Sequence, residues 1–168
     1  MNLFKRSLFI PLLIMLASCS SSDKESNFEE TASYTFKIDA ATAMNLFSDG
    51  KSRPVIVRVY QLSKIENFKN ANFMALYQND QQALGDTLLA KQVLKPVTPG
   101  EQRELTLNLP IKTQYLAIFV EFSQYIHATS KASVALNEES EDMNMIITLY
   151  KDRVKLEQVE EKSWWNIF

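Results

Sequence analysis

Residues 54–62, Pro-Val-Ile-Val-Arg-Val-Tyr-Gln-Leu, are dominated by β-branched, aromatic and long apolar side chains. Val55, Val57 and Val59 share one face of a two-residue alternation, and the other face carries isoleucine, tyrosine and leucine beside a single arginine. A strand that is apolar on both faces belongs in the interior of a layered protein rather than at its surface. We therefore predict a central strand with both faces largely covered.

Residues 63–86 change from a strand period to a helical one. Ser63 and Glu66 have the spacing of a capping box. Asp80 is suited to open a further short turn, and Gly85 to end it. The prediction is a strand that runs directly into short helices, near residues 64–84, lying on a sheet. The apolar side chains that recur every three or four residues, as on one helical face, are Ile65, Phe68, Phe73, Leu76 and Tyr77.

The remainder of residues 32–160 has the pattern of an all-β domain. Residues 33–39 alternate, with Tyr34, Phe36 and Ile38 on the inward face. Residues 87–97 and 102–109 are predicted to pair as a hairpin about the turn Thr98-Pro-Gly-Glu. Eight strands with polar turns and one helical insertion predict a mainly β fold, a two-sheet β-sandwich, with closure into a barrel as the alternative. The other predicted strands are residues 114–122, 131–136, 143–150 and 153–159, the last two as a hairpin.

A long connection, residues 40–53, separates the first two strands and contains the turn residues Asn45 and Gly50. It also carries three large apolar side chains, Met44, Leu46 and Phe47. Apolar side chains in a loop either pack beneath it or stay exposed and bind a partner. The sequence leaves both readings open.

Residues 1–18 have the features of a bacterial lipoprotein signal. A short basic start is followed by an apolar run, which is too short to span a bilayer because spanning takes about 20 residues. Leu-Ala-Ser-Cys then matches a lipobox, which predicts cleavage before Cys19 and acylation of that residue. The alternative is an ordinary signal peptide with a cysteine at its cleavage site. Ser20, rather than aspartate, follows the cysteine, as in bacterial lipoproteins that are sorted to the outer membrane.

Composition excludes several classes of function for the mature chain. Loss of Lys5 and Arg6 with the signal leaves 16 basic and 20 acidic residues, a formal charge of −4, so nucleic acid is not an expected partner. Three glycines provide no phosphate-binding loop. His127 and Cys19 are the single histidine and the single cysteine. We therefore expect no catalytic residues, metal, cofactor or small-molecule substrate, and no enzymatic activity.

Both ends of the mature chain differ in character from the β domain. Residues 19–31 are mostly polar and acidic and are predicted to be an acylated, flexible tether. Residues 161–168 end in Trp-Trp-Asn-Ile-Phe, an aromatic tail. Trp164 and Phe168, four apart, have the spacing to fold back on the sandwich as a short helix. Alternatively, Trp164 and Trp165 contact lipid headgroups or a protein partner.

Four features together, placed behind a lipobox, resemble the outer-membrane lipoprotein of the type VI secretion system, the TssJ family. They are Val-Ile-Val-Arg-Val-Tyr-Gln-Leu, the run Phe-Lys-Asn-Ala-Asn-Phe-Met-Ala-Leu-Tyr, Gln-Ala-Leu-Gly-Asp-Thr-Leu-Leu and Thr-Pro-Gly-Glu. The resemblance implies a transthyretin-like sandwich with added helices. It also implies acyl anchoring at the periplasmic face of the outer membrane, and recruitment of the periplasmic C-terminal region of TssM, in one complex with TssL.

The resemblance further implies that the loop between the first two strands binds the partner. By position that loop is residues 40–53, and Asn45 matches an asparagine that the family often carries. An aromatic tail is not typical of the family. The alternative function is a periplasmic lipoprotein module that binds a ligand or peptide in a pocket or at a sheet edge. The expected contact residues are Met44, Asn45, Leu46, Phe47, Ser48 and Asp49, with Trp164 and Trp165 as a secondary contact.

Overall fold

The computed structural model describes residues 31–136 and 143–160, which form two four-stranded sheets packed face to face. One sheet has the strand order β4-β1-β7-β8 and the other has β3-β2-β5-β6. The structure therefore confirms the predicted β-sandwich and its helical insertion. The strands are β1 (Thr31–Ala40), β2 (Val57–Leu62), β3 (Leu88–Val93), β4 (Gln102–Pro110), β5 (Tyr115–Val120), β6 (Lys131–Ala135), β7 (Met143–Leu149) and β8 (Val154–Glu160); the helices are α1 (Glu66–Asn70) and α2 (Phe73–Leu84).

The alternation within β1 and β2 decides which side chains enter the core. Phe36 and Ile38 of β1 are fully buried between the sheets, as the period of two predicts. Val57 and Val59 of β2 face them across the same core. Tyr60 points the other way, into a second apolar cluster beneath the helices. Both faces of β2 are thus covered, which confirms the prediction for this strand.

The helical insertion covers the outer face of the β2–β5 sheet. Side chains from α1 and α2 bury the second cluster against Ala117 and Phe119 of β5. Lys131 of β6 fixes the end of α1, because its ammonium donates to three backbone carbonyls there at 2.6–3.0 Å. Burial lowers the pKa of Lys131. The helices are therefore part of the packed structure. The buried helical side chains in this cluster are Phe68, Leu76 and Leu84.

The predicted helix caps are partly wrong. No capping box forms, because α1 begins at Glu66 and the Ser63 hydroxyl bonds to the Thr87 carbonyl instead. The helix that does carry a side-chain cap is α2, where Asn72 accepts from the amide of Ala75 at 2.9 Å. A kink interrupts α2 at Asn79, one residue before Asp80, which was predicted to open the second turn. Asn79 rather than Asp80 caps the second part of the helix. Gly85 ends α2 with a φ of 53°, as expected for this residue.

The hairpin predicted for residues 87–97 and 102–109 is wrong, because its two strands lie in different sheets. β3 pairs with β2, whereas β4 pairs with β1. Leu94 and Val97, which follow β3, are buried in the main core and carry the chain across the edge of the sandwich. The turn itself forms as expected, with Gly100 at a φ of 77°. The local sequence pattern predicted the turn correctly, but it did not predict which strand each of the two pairs with.

Strand pairing separates the sandwich into two ends. Ala40 lies beside Leu149, so the β1–β2 connection, residues 41–56, meets the β7–β8 turn at one end. At the opposite end, Thr31 pairs with Pro110 and Met143 pairs with Glu160. We call the first the loop end (residues 41–56, 121–130 and 150–153) and the second the terminal end (around Thr31, Pro110 and Glu160).

Candidate interaction surface at the loop end

Asn45 is the residue that joins the loops of the loop end. It is 5% exposed and has a φ of 49°, a left-handed conformation that asparagine tolerates better than most residues. Its side-chain amide donates to the carbonyls of Arg53 and Pro54 at 3.3 and 3.2 Å. Its Oδ1 accepts from the amide and hydroxyl of Ser123, each at 2.9 Å. The β1–β2 loop is therefore fastened to the β5–β6 loop through one side chain.

The backbone adds further connections at the loop end. The amide of Asn45 donates to the Lys151 carbonyl at 2.9 Å, in the β7–β8 turn. The Gln124 side chain donates to the Leu46 carbonyl at 3.0 Å. Three connections that are distant in sequence are thus held as one surface, so the loop residues have fixed positions.

The six loop residues predicted as contacts fall into two groups. Met44 is fully buried in the main core and Asn45 is buried beneath the loop. Leu46 is half-buried, and its neighbour Phe47 is 37% exposed. The outward-facing part of the loop is completed by two exposed residues, Ser48 and Asp49.

Phe47 is supported by charged neighbours. The guanidinium of Arg53 lies 4.0 Å from the centre of the Phe47 ring, which is a favourable cation–π contact. Arg53 also pairs with Asp49 at 2.8 Å, and this hydrogen bond holds the pKa of Asp49 below its usual value. The loop tip therefore presents an ordered aromatic ring rather than a freely rotating one.

An apolar groove of about 440 Å³ lies between Phe47 and the first half of α2. Phe73 lines this groove, and its ring stacks on that of Tyr125 with centres 4.3 Å apart and on that of Tyr77 with centres 5.8 Å apart. Seven large apolar side chains are exposed among residues 31–136 and 143–160, and five of them line this groove or belong to the loop beside it. Such a concentration marks an interaction surface. The five are Phe47, Met74, Tyr77, Tyr125 and Ile126.

A cluster of charged side chains holds the helical wall of the groove in place. Arg58 of β2 donates to Glu121 at 2.8 Å and to Asp80 at 3.0 Å. It also donates to the carbonyls of Leu76 and Tyr77, whose usual partners within a helix are lost at the α2 kink. One guanidinium thus ties the sheet, the β5–β6 loop and α2 together.

Asp80 is the buried acidic member of this cluster. Its carboxylate accepts from Arg58, from the Tyr60 hydroxyl at 2.9 Å and from the Lys91 ammonium at 2.9 Å. Burial raises the pKa of Asp80, but hydrogen bonds from Lys91, Tyr60 and Arg58 outweigh it and leave that pKa below its usual value. Burial, together with the Asp80 hydrogen bond, raises the pKa of Tyr60. The sequence analysis assigned Asp80 only to a turn and did not single out Arg58 as a partner.

His127 lines a second, smaller depression of about 250 Å³, to which Phe47 also contributes. Gln124, Lys151 and Asp152 also line it. Within the described part of the chain, no group of three or more His, Cys, Asp or Glu side chains is placed to hold a metal ion. The arrangement at the loop end is that of a contact surface made of rings and fixed loops.

Some predicted site residues lie outside the described residues. They are Cys19, Trp164 and Trp165, and the structure gives no account of them. Of the helices in residues 31–136 and 143–160, none has the length and apolar character needed to cross a bilayer.

Comparison with known proteins gives one family and a consistent fold. No curated protein matches the chain. Structures with the same fold include the type VI lipoprotein TssJ1 from Pseudomonas aeruginosa (23% identity, TM-score 0.71, covering 77% of this chain and 98% of that one). They also include Serratia marcescens Lip, a membrane-bound component of the type VI secretion system (20% identity, TM-score 0.68, covering 77% of this chain and 98% of that one). A third is a chain of the structure described as "T6SS protein TssM C-terminal domain (869-1107) from EAEC" (18% identity, TM-score 0.61, covering 76% of this chain and 99% of that one).

Because the sequence identities to these structures are below 25%, they show a shared fold only. Family membership therefore rests on the match to the family model. The model described as "Type VI secretion lipoprotein, VasD, EvfM, TssJ, VC_A0113" matches residues 32–158, which include both sheets and the helical insertion. Because this match covers most of the 168 residues, the chain belongs to the type VI secretion lipoprotein family that includes TssJ.

Proposed function

We propose that this protein is an outer-membrane lipoprotein, acylated at Cys19, that recruits the periplasmic C-terminal region of TssM in a complex with TssL. Its role is that of an anchor and a docking platform, without enzymatic activity. The observation that carries the proposal is the exposed apolar surface around Phe47, which lies at the end of the sandwich opposite Thr31. Thr31 is the first described residue and the last of the predicted tether, so this surface lies at the other end of the sandwich from the start of the described domain.

Tethering explains how such a protein promotes assembly. Acyl chains contribute about 0.8 kcal/mol for each buried methylene group, so multiple chains hold the domain at the membrane almost permanently. A short linker then keeps the loop end at a high effective concentration near any partner that reaches the same membrane. A rigid surface loses little conformational freedom on binding, which favours affinity.

The proposed contact surface includes only some of the six loop residues that were predicted from the sequence. Phe47, Ser48 and Asp49 are exposed and form the direct contact, joined by the groove residues Tyr77 and Tyr125. Met44 and Asn45 act from below, because they hold the loop to the core and to the β5–β6 loop.

A small-molecule site is less well supported by the groove. Glu121 and Ser123 line it, but Glu121 is bonded to Arg58 and Ser123 to Asn45. Ligand pockets combine an apolar lining with a few convergent polar groups that orient the ligand. The open, ring-lined surface is better suited to a protein partner.

Phe47→Asp tests the docking surface. In a titration of residues 20–168 against the periplasmic C-terminal region of TssM from the same genome, we expect this change to weaken binding by about thirtyfold or more, as at an interface hot spot. A charge in place of the ring removes the apolar contact, while the buried residues beneath the loop stay in place.

Ile111→Asp is the matched control, since Ile111 is 60% exposed and lies at the terminal end. It should bind as the unaltered domain does. Equal affinity of the two variants would exclude Phe47 from the interface. If the unaltered domain fails to bind, recruitment of TssM is wrong and the ligand-binding alternative is favoured.

Cys19→Ala tests the anchor. We expect the variant to be made and folded but to lose its fractionation with the outer membrane in cells that lack TssM, because acylation requires the thiol. Ser20→Ala, which keeps the cysteine, serves as control and should stay at the membrane. Retention of the Cys19→Ala variant without TssM would contradict acyl anchoring.

A further inference from the structure

Among the described residues, four strands lie at the edges of the two sheets, because each pairs with one neighbour only: β4, β8, β3 and β6. Such edges expose backbone N–H and C=O groups, which proteins normally protect. β6 and β8 protect each other at the loop end, where the Thr129 amide donates to the Asp152 carbonyl at 2.8 Å and the Val154 amide donates to the Thr129 carbonyl at 3.0 Å. β3 carries Lys91 and a register shift in its pairing with β2. Of these four edges, three are thus protected, which leaves β4.

β4 has a long and regular free edge. It pairs with β1 over nine consecutive residue pairs, from Gln102 to Pro110, in unbroken register. In the described part of the chain no strand lies on its other side. Residues 105–109, Leu-Thr-Leu-Asn-Leu, contain no charge and no proline. The three leucines face the main core, and the threonine and asparagine are exposed. This edge is therefore suited to accept a further strand beside it.

A groove of about 420 Å³ opens next to this edge, between the end of β3 and the start of β4. Residues 92–95 line one side of it, and Arg103 and Leu105 line the other. Val93 is 53% exposed, and it is one of the two exposed large apolar side chains that the loop end does not use. An exposed apolar side chain beside an unpaired strand edge marks a place where another chain can bind.

The groove has a basic end. Its lining includes Lys95 and Arg103 but no acidic side chain. Arg103 donates to the Lys95 carbonyl at 3.1 Å and is partly neutralised by Glu101 at 3.3 Å, so Lys95 adds the further positive charge. This differs from the mature chain as a whole, whose formal charge is −4. Charge complementarity therefore favours a carboxylate at this end of the groove and disfavours a cation.

We propose that the free edge of β4 binds an extended segment of a protein partner, which adds as a fifth strand to the β4-β1-β7-β8 sheet. The segment runs antiparallel to β4, the slightly more stable arrangement. Its apolar side chains lie at alternate positions beside Leu105, Leu107 and Leu109, and an acidic side chain near its C-terminal end lies beside Lys95 and Arg103. Main-chain hydrogen bonds provide the affinity, and the alternate side chains provide the specificity.

This surface is distinct from the proposed docking surface for TssM. The two grooves share no lining residue, so the β4 edge can be occupied while the Phe47 surface is also bound. Strand addition to β4 does not depend on the proposed docking function.

A second copy of this chain fits the β4 edge less well. β4 is antiparallel to β1, so antiparallel pairing of two β4 strands points the two Thr31 ends in opposite directions. Both copies are proposed to be held at one membrane by the tether that leads to Thr31, which favours the same direction for both. A segment of a different protein carries no such restriction.

Two synthetic peptides test strand addition. Each is as long as β4, nine residues, with blocked ends, valine alternating with threonine, and glutamate at the C-terminal position. N-methyl groups on the odd-numbered residues of one peptide, and on the even-numbered residues of the other, leave each with N–H donors along a single edge. The labelled peptides are titrated by fluorescence anisotropy against residues 20–168, which contain both sheets. We expect one peptide to bind with a Kd of about 10–100 µM and the other to bind at least about tenfold more weakly.

Lys95→Glu tests the basic end of the groove. We expect the peptide that binds to lose about tenfold in affinity for this variant, and a peptide with lysine in place of glutamate to bind the variant better than the unaltered chain. Lys64→Glu is the matched control, because it makes the same charge change at an exposed residue between β2 and α1. It should leave the affinity unchanged.

Equal binding of the two peptides, or binding of neither, would overturn strand addition, since only one of them can offer its N–H groups to β4. An affinity that Lys95→Glu leaves unaltered would place the segment elsewhere. A dimer of residues 20–168 in sedimentation, dissociated by the peptide that binds, would assign the β4 edge to a second copy and overturn the proposal. The titration contains no TssM, so its outcome and that of the Phe47→Asp titration are independent.

Discussion

Asp80→Ala is expected to lower the free energy of unfolding by about 3 kcal/mol, because removing one partner of a buried ion cluster leaves the others uncompensated. The Asp80 side chain is 6% exposed and accepts hydrogen bonds from Arg58, Lys91 and Tyr60. After its loss, the Tyr60 hydroxyl is buried without this acceptor. Urea unfolding of residues 20–168, followed by circular dichroism, gives the difference.

Lys91→Gln is the matched control for Asp80→Ala. Lys91 bonds to the same carboxylate, but its side chain is 37% exposed, so its contribution is reduced by solvent. We expect a loss of less than about 1 kcal/mol. Equal losses for the two variants would show that the cluster acts as a surface pair rather than as a buried anchor for α2.

The same cluster predicts how stability changes with pH. The pKa of Asp80 lies below its usual value in the folded state, so its contribution is present above about pH 4 and is lost as the pH falls toward the folded-state pKa. The pKa of Tyr60 is raised, so its contribution is present below about pH 10 and is lost as the pH rises further. Asp80→Ala should flatten the acidic decline in a urea series across pH. An unchanged decline would assign acid sensitivity to other carboxylates.

Asn45→Ala is expected to cost about 2–3 kcal/mol of stability and to weaken partner binding, although Asn45 is buried. Its side chain makes four hydrogen bonds, two within the β1–β2 loop and two to Ser123 in the β5–β6 loop. Without them, the carbonyls of Arg53 and Pro54 lose a donor and the Ser123 amide loses an acceptor. Phe47 then loses its fixed position, so the Phe47 surface binds with a larger entropic cost. Thermal unfolding and the TssM titration measure the two effects.

Asn45→Gly separates the two causes of that loss. Alanine both removes the hydrogen bonds and strains the φ of 49°, whereas glycine adopts this conformation readily. We expect Asn45→Gly to be destabilised by somewhat less than Asn45→Ala, with partner binding weakened in both. Glycine restoring full stability would show that backbone conformation alone, and not the side-chain bonds, fixes the loop.

Asn45 and Arg58 together explain why the loop end can be both irregular in sequence and ordered in structure. Asn45 secures the β1–β2 loop, and Arg58 secures the helical wall opposite it. Asn45 is 5% exposed and the Arg58 side chain is 16% exposed, so both act from beneath the outward-facing surface. Substitutions at the loop tip are therefore expected to leave the underlying surface in place, provided that Asn45 and Arg58 keep their bonds.

Local pattern determined much of this protein from the sequence. Alternation placed Phe36, Ile38, Val57 and Val59 in one core and Tyr60 in another, because side chains on a strand alternate between its two faces. The sequence also located the helical insertion, the end of α2 at Gly85 and the Thr98–Glu101 turn. Each of these depends on residues that are near neighbours in the chain.

Tertiary structure alone decided which distant residues meet. The strands on either side of the Thr98–Glu101 turn look like a hairpin, yet burial of Leu94 and Val97 sends them to different sheets. Arg58 and Glu121 are 63 residues apart and Asn45 and Ser123 are 78 apart, but both pairs are in direct contact. The groove between Phe47, Tyr77 and Tyr125 arises in the same way. No periodicity encodes such contacts, because packing of the two sheets and the helices creates them only when the whole domain folds.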